Sequence, residues 1–252
     1  MANYIALFSP TGGTRRVAEI LAEELGRDWQ EMDLCRETEA TQLQKEDLLL
    51  AAVPSYGGRV PAVAAGRLKN LTGNGATAIL VCVYGNREWD DTLTELQDIL
   101  EAQGFRCTAA VAAVAEHSIF RQFAAGRPDA ADAAQLKAFA RQIRSVREAG
   151  QLILPGSHGS YRDFGGTPFK PEGDDRCTGC GICAANCPAG AIDPASPAKT
   201  NRDICISCMR CISLCSAGIR ALDPGMMAAS AEKMAPKLGG HKENHLFLVS
   251  RR

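Results

Sequence analysis

Tyr4-Ile5-Ala6-Leu7-Phe8-Ser9-Pro10-Thr11-Gly12-Gly13-Thr14-Arg15-Arg16-Val17 is the stretch whose reading decides the fold. A short apolar run ends at Phe8, and a loop of Ser, Pro, Thr and Gly follows directly. From Thr14 to Leu25 the apolar residues Val17, Ile20, Leu21 and Leu25 fall on one helical face. A strand, a tight loop and a helix in that order form the first half of a strand-helix-strand unit. The same alternation recurs downstream. Trp29–Leu34, Asp47–Val53, Ala76–Tyr84 and Cys107–Ala115 read as strands, and Pro61–Leu71, Asp90–Gln103 and Asp129–Ala149 read as helices. Strands that are apolar throughout, alternating with helices, predict a five-stranded parallel sheet covered on both faces.

In such a sheet ligands sit beyond the carboxyl ends of the strands. Three loops fall there. The first, Ser9, Thr11, Gly12, Gly13, Thr14 and Arg15, combines hydroxyls, glycines and the amide groups of a helix start, which suits a phosphate. A Ser/Thr cap on an ordinary turn explains the same residues, and a solvated helix face explains Arg15. The second is Pro54, Ser55, Tyr56, Gly57 and Gly58, and the third runs from Tyr84, Gly85 and Asn86 to Trp89 and Asp91. Each places an aromatic beside a glycine, so a planar ring fits between them. The alternative is that Tyr56, Tyr84 and Trp89 plug the top of the sheet.

Eight of the eleven cysteines lie between Cys177 and Cys215. Cys177-x2-Cys180-x2-Cys183-x3-Cys187-Pro188 is the bacterial ferredoxin run, and Cys205, Cys208, Cys211 and Cys215 repeat it 28 residues later. Three closely spaced thiolates occupy three corners of a cubane, and in two-cluster ferredoxins the fourth comes from the other run. One [4Fe–4S] cluster is therefore expected on Cys177, Cys180, Cys183 and Cys215, and a second on Cys205, Cys208, Cys211 and Cys187. Zinc is the competing reading, but structural zinc sites use two pairs with a long spacer. Few large apolar residues surround these runs, so the metal must supply stabilisation. Cys35, Cys82 and Cys107 read as small apolar residues near strands, with a redox role the alternative; His117, after the fifth strand at the ligand end of the sheet, reads as a polar loop residue, with a proton donor the alternative.

These motifs carry a resemblance. Residues 1–150 resemble a flavodoxin: Ser9-x-Thr11-Gly12-x-Thr14 matches its FMN-phosphate loop, and Tyr56-Gly57-Gly58 and Tyr84-Gly85-Asn86 its two ring loops. The whole chain resembles the fused flavodoxin–ferredoxin family. Glu116-His117-Ser118-Ile119 and Ala125-Gly126-Arg127-Pro128-Asp129 are among the stretches that carry the likeness. The resemblance implies strand order 2-1-3-4-5, bound FMN, and a small α+β two-cluster domain after the sheet. It also implies that a peptide in the Tyr56-Gly57-Gly58 loop turns over on reduction. Gly13 stands where many flavodoxins have Asn, and Ser216 where Pro usually follows the last cysteine.

The expected organisation is a flavin domain over 1–152, a Gly/Pro-rich connector over 153–174, and a cluster domain with a tail over 175–252. Apolar residues make up 46% of the 252, enough for a core, and the formal net charge of −1 offers nucleic acid no footing. No basic start or long apolar run suggests secretion or a membrane span, so the cytoplasm is the expected compartment. Electron transfer with protein redox partners is the favoured function. Reduction of a small molecule at the flavin and redox sensing are the alternatives. No Gly-x-Gly-x-x-Gly follows a strand, and no carboxylate or histidine constellation marks a catalytic centre.

Overall fold

The computed structural model describes residues 2–26, 28–146 and 150–250. In chain order the first part comprises β1 (Asn3–Leu7), α1 (Gly13–Leu25), β2 (Gln30–Asp33), β3 (Thr41–Gln42), β4 (Leu48–Pro54), α2 (Ala62–Leu68), β5 (Leu71–Thr72), β6 (Thr77–Tyr84), α3 (Thr92–Ala102), β7 (Arg106–Val114) and α4 (Ala130–Ser145). The expected end of the last helix, residues 147–149, lies outside the described residues. The second part holds one-turn helices α5 (Ile182–Ala185) and α6 (Arg210–Ser213), then α7 (Pro224–Leu238) and β8 (His245–Leu248).

The main sheet runs β2-β1-β4-β6-β7-β8. Its first five strands are parallel and follow the expected 2-1-3-4-5 order when the main strands alone are counted. The sheet has six strands rather than five, because β8 adds antiparallel to the β7 edge, with Ala112 opposite His245 and Ala109 opposite Leu248. This corrects the reading of the C-terminal residues as a tail. A minor two-stranded sheet joins β3 to β5.

Central strands are buried along almost their whole length, as a sheet covered on both faces requires. On one face Val17 and Leu21 of α1 and Leu136 and Ala140 of α4 pack on Leu50, Val81 and Val111. On the other, Leu68 of α2 and Leu93, Leu96 and Leu100 of α3 pack on Leu49, Leu80 and Ala110. Helix α1 stops at Gly26, whose positive φ turns its amide back onto the carbonyls of Ala22 and Glu23.

Several ties hold the second part to the first. The bridge Gln151–Ser250 brings the chain's exit from the sheet domain beside its return. Asn244, just before β8, is buried, and its Oδ1 accepts from Val114 N–H at 2.8 Å. Its amide donates to Asp132 at 2.8 Å and to Gln135 at 2.7 Å. Arg127 grips the same Asp132 at 2.8 Å and donates to the carbonyl of Lys242 at 2.6 Å. Burial opposes ionisation of Asp132, but Arg127, the Asp129 amide and Asn244 outweigh it and hold the carboxyl down at about 2.

Replacing Asn244 with Ala leaves Val114 N–H and Asp132 short of buried partners, at a cost of about 1–3 kcal/mol. Thermal unfolding should fall by about 2–4 °C per kcal/mol, and the C-terminal strand should become sensitive to protease. Asp132 is lowered in the folded state, so its stabilisation is present above its unfolded value near 4 and is lost as pH falls through about 2. An Asp132→Asn variant should therefore lose less stability than wild type over that window in acid unfolding.

Candidate functional site

The loops after β1, β4, β6 and β7 open into one cavity of about 560 Å³. That size suits a small-molecule or cofactor site. Thr11, Gly13 and Thr14 line it from the first loop, Pro54, Ser55, Tyr56 and Gly57 from the second, and Tyr84 and Gly85 from the third. The remaining wall was not foreseen. It includes His117, Ile119 and Phe120 after β7, Phe164 and Phe169 of the connector, Ile206 and Ser207 of the second cysteine run, and Lys233, Met234 and Lys237 of α7.

At the first loop, α1 begins at Gly13 and carries no side-chain cap from Gly12. Ser9 Oγ accepts from the Arg15 amide at 2.9 Å, so Ser9 fills the ordinary capping role. The opening amides of the helix have no intrahelical acceptor and meet the cavity together with Thr11 and Thr14, an arrangement that fits an anion. Arg15 is turned away. Both its terminal nitrogens reach Glu31 at 2.6 Å, and this contact holds Glu31 below the usual carboxylate range.

In the second loop Tyr56 and Arg59 exchange backbone hydrogen bonds of 3.0 and 3.2 Å, closing a tight turn. Gly57 at its tip has φ +62°, and a Cβ there would lie 2.0 Å from the ring of Phe164. Gly58 faces Asp90, away from the cavity. The Tyr56 hydroxyl is pushed well above its usual range by burial and by the nearby thiols of Cys208, Cys35 and Cys205. Tyr56 thus stands between the cavity and the second cysteine run.

The third loop divides. Tyr84 lines the cavity and donates to the carbonyl of Glu243 at 2.8 Å. Asn86 donates to the carbonyls of Leu238 and Gly240, clasping the end of α7. Trp89 packs between Tyr84 and His245, with ring centroids 5.3 and 4.9 Å away. Asp91 accepts from the Arg162 amide at 2.7 Å. Ser9, Gly12, Arg15, Gly58, Asn86, Trp89 and Asp91 therefore lie outside the cavity lining. The last three hold the connector and C-terminal tail instead. The connector is strapped along α3, where Asp98 takes hydrogen bonds from the Gly159 amide, His158 and the Tyr161 hydroxyl.

The cysteine runs repeat in conformation as well as in sequence. Gly179 and Ser207, Gly181 and Met209, and Gly190 and Gly218 are pairs 28 residues apart, and all six have positive φ. Such turns direct successive amides inward toward an anionic centre. A small second cavity, of about 20 Å³, is lined by Cys187 together with Cys205, Cys208 and Cys211. These are the four cysteines that crossed ligation would assign to the second cluster. Burial and the neighbouring Cys211, Cys187 and Cys205 push the Cys208 thiol up, which a bound iron would reverse by taking the thiolate. Cys187 Sγ accepts from Ala191 N–H at 3.3 Å and Cys205 Sγ from Ser207 N–H at 3.4 Å. The amides of Arg220, Ile219, Ala217 and Gly218 converge on Cys215 and lower its thiol. Among the described residues no three His, Cys, Asp or Glu side chains meet at one point suited to a single ion. A four-iron cluster takes one thiolate per iron, so its ligands stand at separate corners. Cys183 and Cys208 are buried, whereas Cys180 is exposed. None of the eleven cysteines forms a disulfide; Cys35 is pushed up to about 11, chiefly by burial, and Cys82 and Cys107 are buried in β6 and β7.

Residues 176–220 match the family described as a 4Fe-4S dicluster domain. A dicluster domain implies two [4Fe–4S] clusters, and both cysteine runs lie within the matched residues. Comparison with curated proteins finds no match. Among solved structures, the chain is similar to a Streptococcus pneumonia TIGR4 flavodoxin at 20% identity and TM-score 0.42, over 57% of this chain and 97% of that one. It is similar to oxidised flavodoxin 1 from Bacillus cereus at 13% identity and TM-score 0.42, with the same coverage. An apo NADH:FMN oxidoreductase aligns at 15% identity and TM-score 0.39, over 57% of this chain and 89% of that one. No helix among the described residues is long and apolar enough to cross a membrane.

Replacing Cys187 with Ser should remove or distort the cluster on Cys205, Cys208 and Cys211 and spare the one on Cys177, Cys180 and Cys183. Iron should fall from roughly eight toward four per chain, with EPR assigning which signal is lost. Selective loss of the first-run cluster would refute crossed ligation.

Proposed function

We propose that the chain moves electrons between an FMN in the large cavity and two [4Fe–4S] clusters, with the Cys187, Cys205, Cys208 and Cys211 cluster as the relay. One observation carries this reading. Ile206 and Ser207, between the ligands Cys205 and Cys208, form part of the wall of the large cavity, and Ile206 also lines the small cysteine cavity. The relay cluster and the cofactor thus share a wall one residue thick, with Tyr56 alongside.

The residues present fit the flavin. Thr11, Thr14 and the α1 amides offer the phosphate its donors, while Phe120, Phe164 and Phe169 offer a ring an apolar bed. When bound, FMN exchanges one or two electrons, whereas each cluster exchanges one. The cluster on Cys177, Cys180, Cys183 and Cys215 includes the exposed Cys180 and is the entry or exit for an external redox protein. Amide bonds to the sulfurs of Cys187, Cys205 and Cys215 favour added negative charge on the clusters and so set their potentials. In this scheme residues 1–152 hold the flavin, 153–174 connect, and 175–252 carry the clusters. Free thiols and oxygen-sensitive clusters suit a reducing cytoplasm.

A small-molecule reductase is the second reading, favoured by α7 and the connector roofing the cavity. That roof keeps a protein partner from the ring but leaves room for a small electron acceptor.

The test is the full chain, reconstituted with iron, sulfide and FMN, mixed anaerobically with a reduced one-electron iron–sulfur protein too large to enter the cavity. FMN should bleach through the clusters, and Cys180→Ser should slow the bleaching strongly while FMN affinity stays unchanged. Equal bleaching rates in both proteins would sink the route. Separately, Gly57→Ala forces a Cβ into Phe164 and a positive φ onto alanine, a strain of roughly 1–2 kcal/mol. FMN affinity in a fluorescence titration should drop about tenfold, and Phe164→Ala in the same chain should restore part of it.

A further inference from the structure

His117 lies in the loop after β7 and lines the large cavity. Its Nδ1 accepts two hydrogen bonds, from the amides of Ile119 and Phe120, each at 3.1 Å. An amide nitrogen only donates, so Nδ1 bears no proton and the neutral ring must carry its proton on Nε2. The backbone therefore dictates the tautomer. Burial, together with nearby Arg87, also disfavours the imidazolium and lowers the group to about 4.

The ring is fixed in orientation as well. Phe120 packs against it at 5.3 Å between centroids. On the Gly85 side there is no space, since a Cβ at Gly85 would fall 2.8 Å from His117 Cδ2, the carbon bonded to Nε2. Gly85 belongs to the third loop, beside Tyr84. Among the described residues Nε2 meets no hydrogen-bond partner. The result is one oriented donor, with its acceptor missing from the protein, at the edge of a cavity otherwise bedded by Phe120, Phe164 and Phe169.

We propose that His117 Nε2–H is a fixed hydrogen-bond donor to an oxygen or nitrogen acceptor on the edge of the flavin ring, and that it makes the ring easier to reduce. The inference rests on the FMN reading above. Reduction adds electron density to the ring's acceptor atoms, and a pre-aimed donor bonds more strongly to the charge-enriched form. His117 is a positioning residue, since the electrons come and go by the clusters. In the sequence the same residue reads as a polar loop position at the ligand end of the sheet, with a proton donor as the alternative.

Two substitutions separate the two ends of the imidazole. In His117→Asn the side-chain oxygen reaches the place of Nδ1, so the Ile119 and Phe120 amides keep their acceptor while the Nε2 donor is lost. In His117→Gln the longer amide reaches the place of Nε2, so the donor is kept and the loop acceptor is lost. The midpoint potential of bound FMN is measured by spectroelectrochemistry on the full chain, with thermal unfolding alongside. Asn should weaken binding of reduced relative to oxidised FMN about tenfold. For a two-electron couple that lowers the midpoint by about 30 mV, with unfolding close to wild type. Gln should keep the potential and lower the unfolding temperature. A wild-type potential in the Asn variant, or potentials that simply track lost stability in both, overturns the role of His117. Failure of the wild-type chain to bind FMN overturns the flavin reading and this inference with it.

Discussion

A parallel strand cannot be joined to its neighbour by a tight turn, so β1, β4 and β6 are each followed by a crossover, and β7, parallel to β6, releases its own loop at the same carboxyl edge. That constraint gathers four loops on one edge of the sheet. It is why Thr11, Tyr56, Tyr84 and His117, far apart in sequence, line a single cavity. The start of α1, capped by Ser9 rather than by Gly12, and the turn at Gly57 are local adjustments to that edge. Phe164, Phe169 and helix α7 close over it.

The cysteine runs obey a different constraint. In two-cluster ferredoxins three thiolates from one run leave a cubane corner to the other run, and Cys187 lines one small cavity with Cys205, Cys208 and Cys211. The turn Ile206-Ser207 of the second run lines the large cavity of the sheet domain. Arg67 strengthens this meeting by donating to the carbonyl of Pro188 at 2.9 Å while its other nitrogen holds Leu34 at 2.8 Å. Arg220 does the same inside the cluster part, where it is buried and donates to the carbonyl of Pro171 at 2.8 Å.

The alternation of strands and helices, the helix faces and the cysteine spacing were legible because each is a short-range pattern with one physical cause, whereas the strand order was implied only by the family resemblance. Val17 and Leu21 repeat at the helical period, and the ligands of a cubane keep their intervals. The side of a loop on which an aromatic lands is not such a pattern. Trp89 and Tyr84 look equivalent in sequence, yet Trp89 packs on His245, a partner 156 positions later (245 − 89). Helix α7 was not read from the sequence; it begins at the capping Asp223 with Pro224 in its first turn and carries Pro236 inside it. The four residues of β8 are too short to read alone, and only pairing with β7 makes them a strand. Ser207 and Met209 take the positive φ of Gly179 and Gly181, and the repeat register alone pointed to it.

The bridge between Gln151 and Ser250 changes what kind of object the cluster-bearing segment is. It enters and leaves at adjacent points of one sheet, so it is an insertion closed at its neck rather than an appendage on a leash. A module tethered once samples a volume set by its linker, and its contacts are diluted accordingly. A module tethered twice, at neighbouring points, has most of that closure entropy already removed. In the proposed route the gap between the relay cluster and the cavity would then be a fixed property of the fold. Electron exchange inside the chain would not wait on diffusion, domain swinging or salt-dependent docking, and only the exposed cluster would have to find a partner.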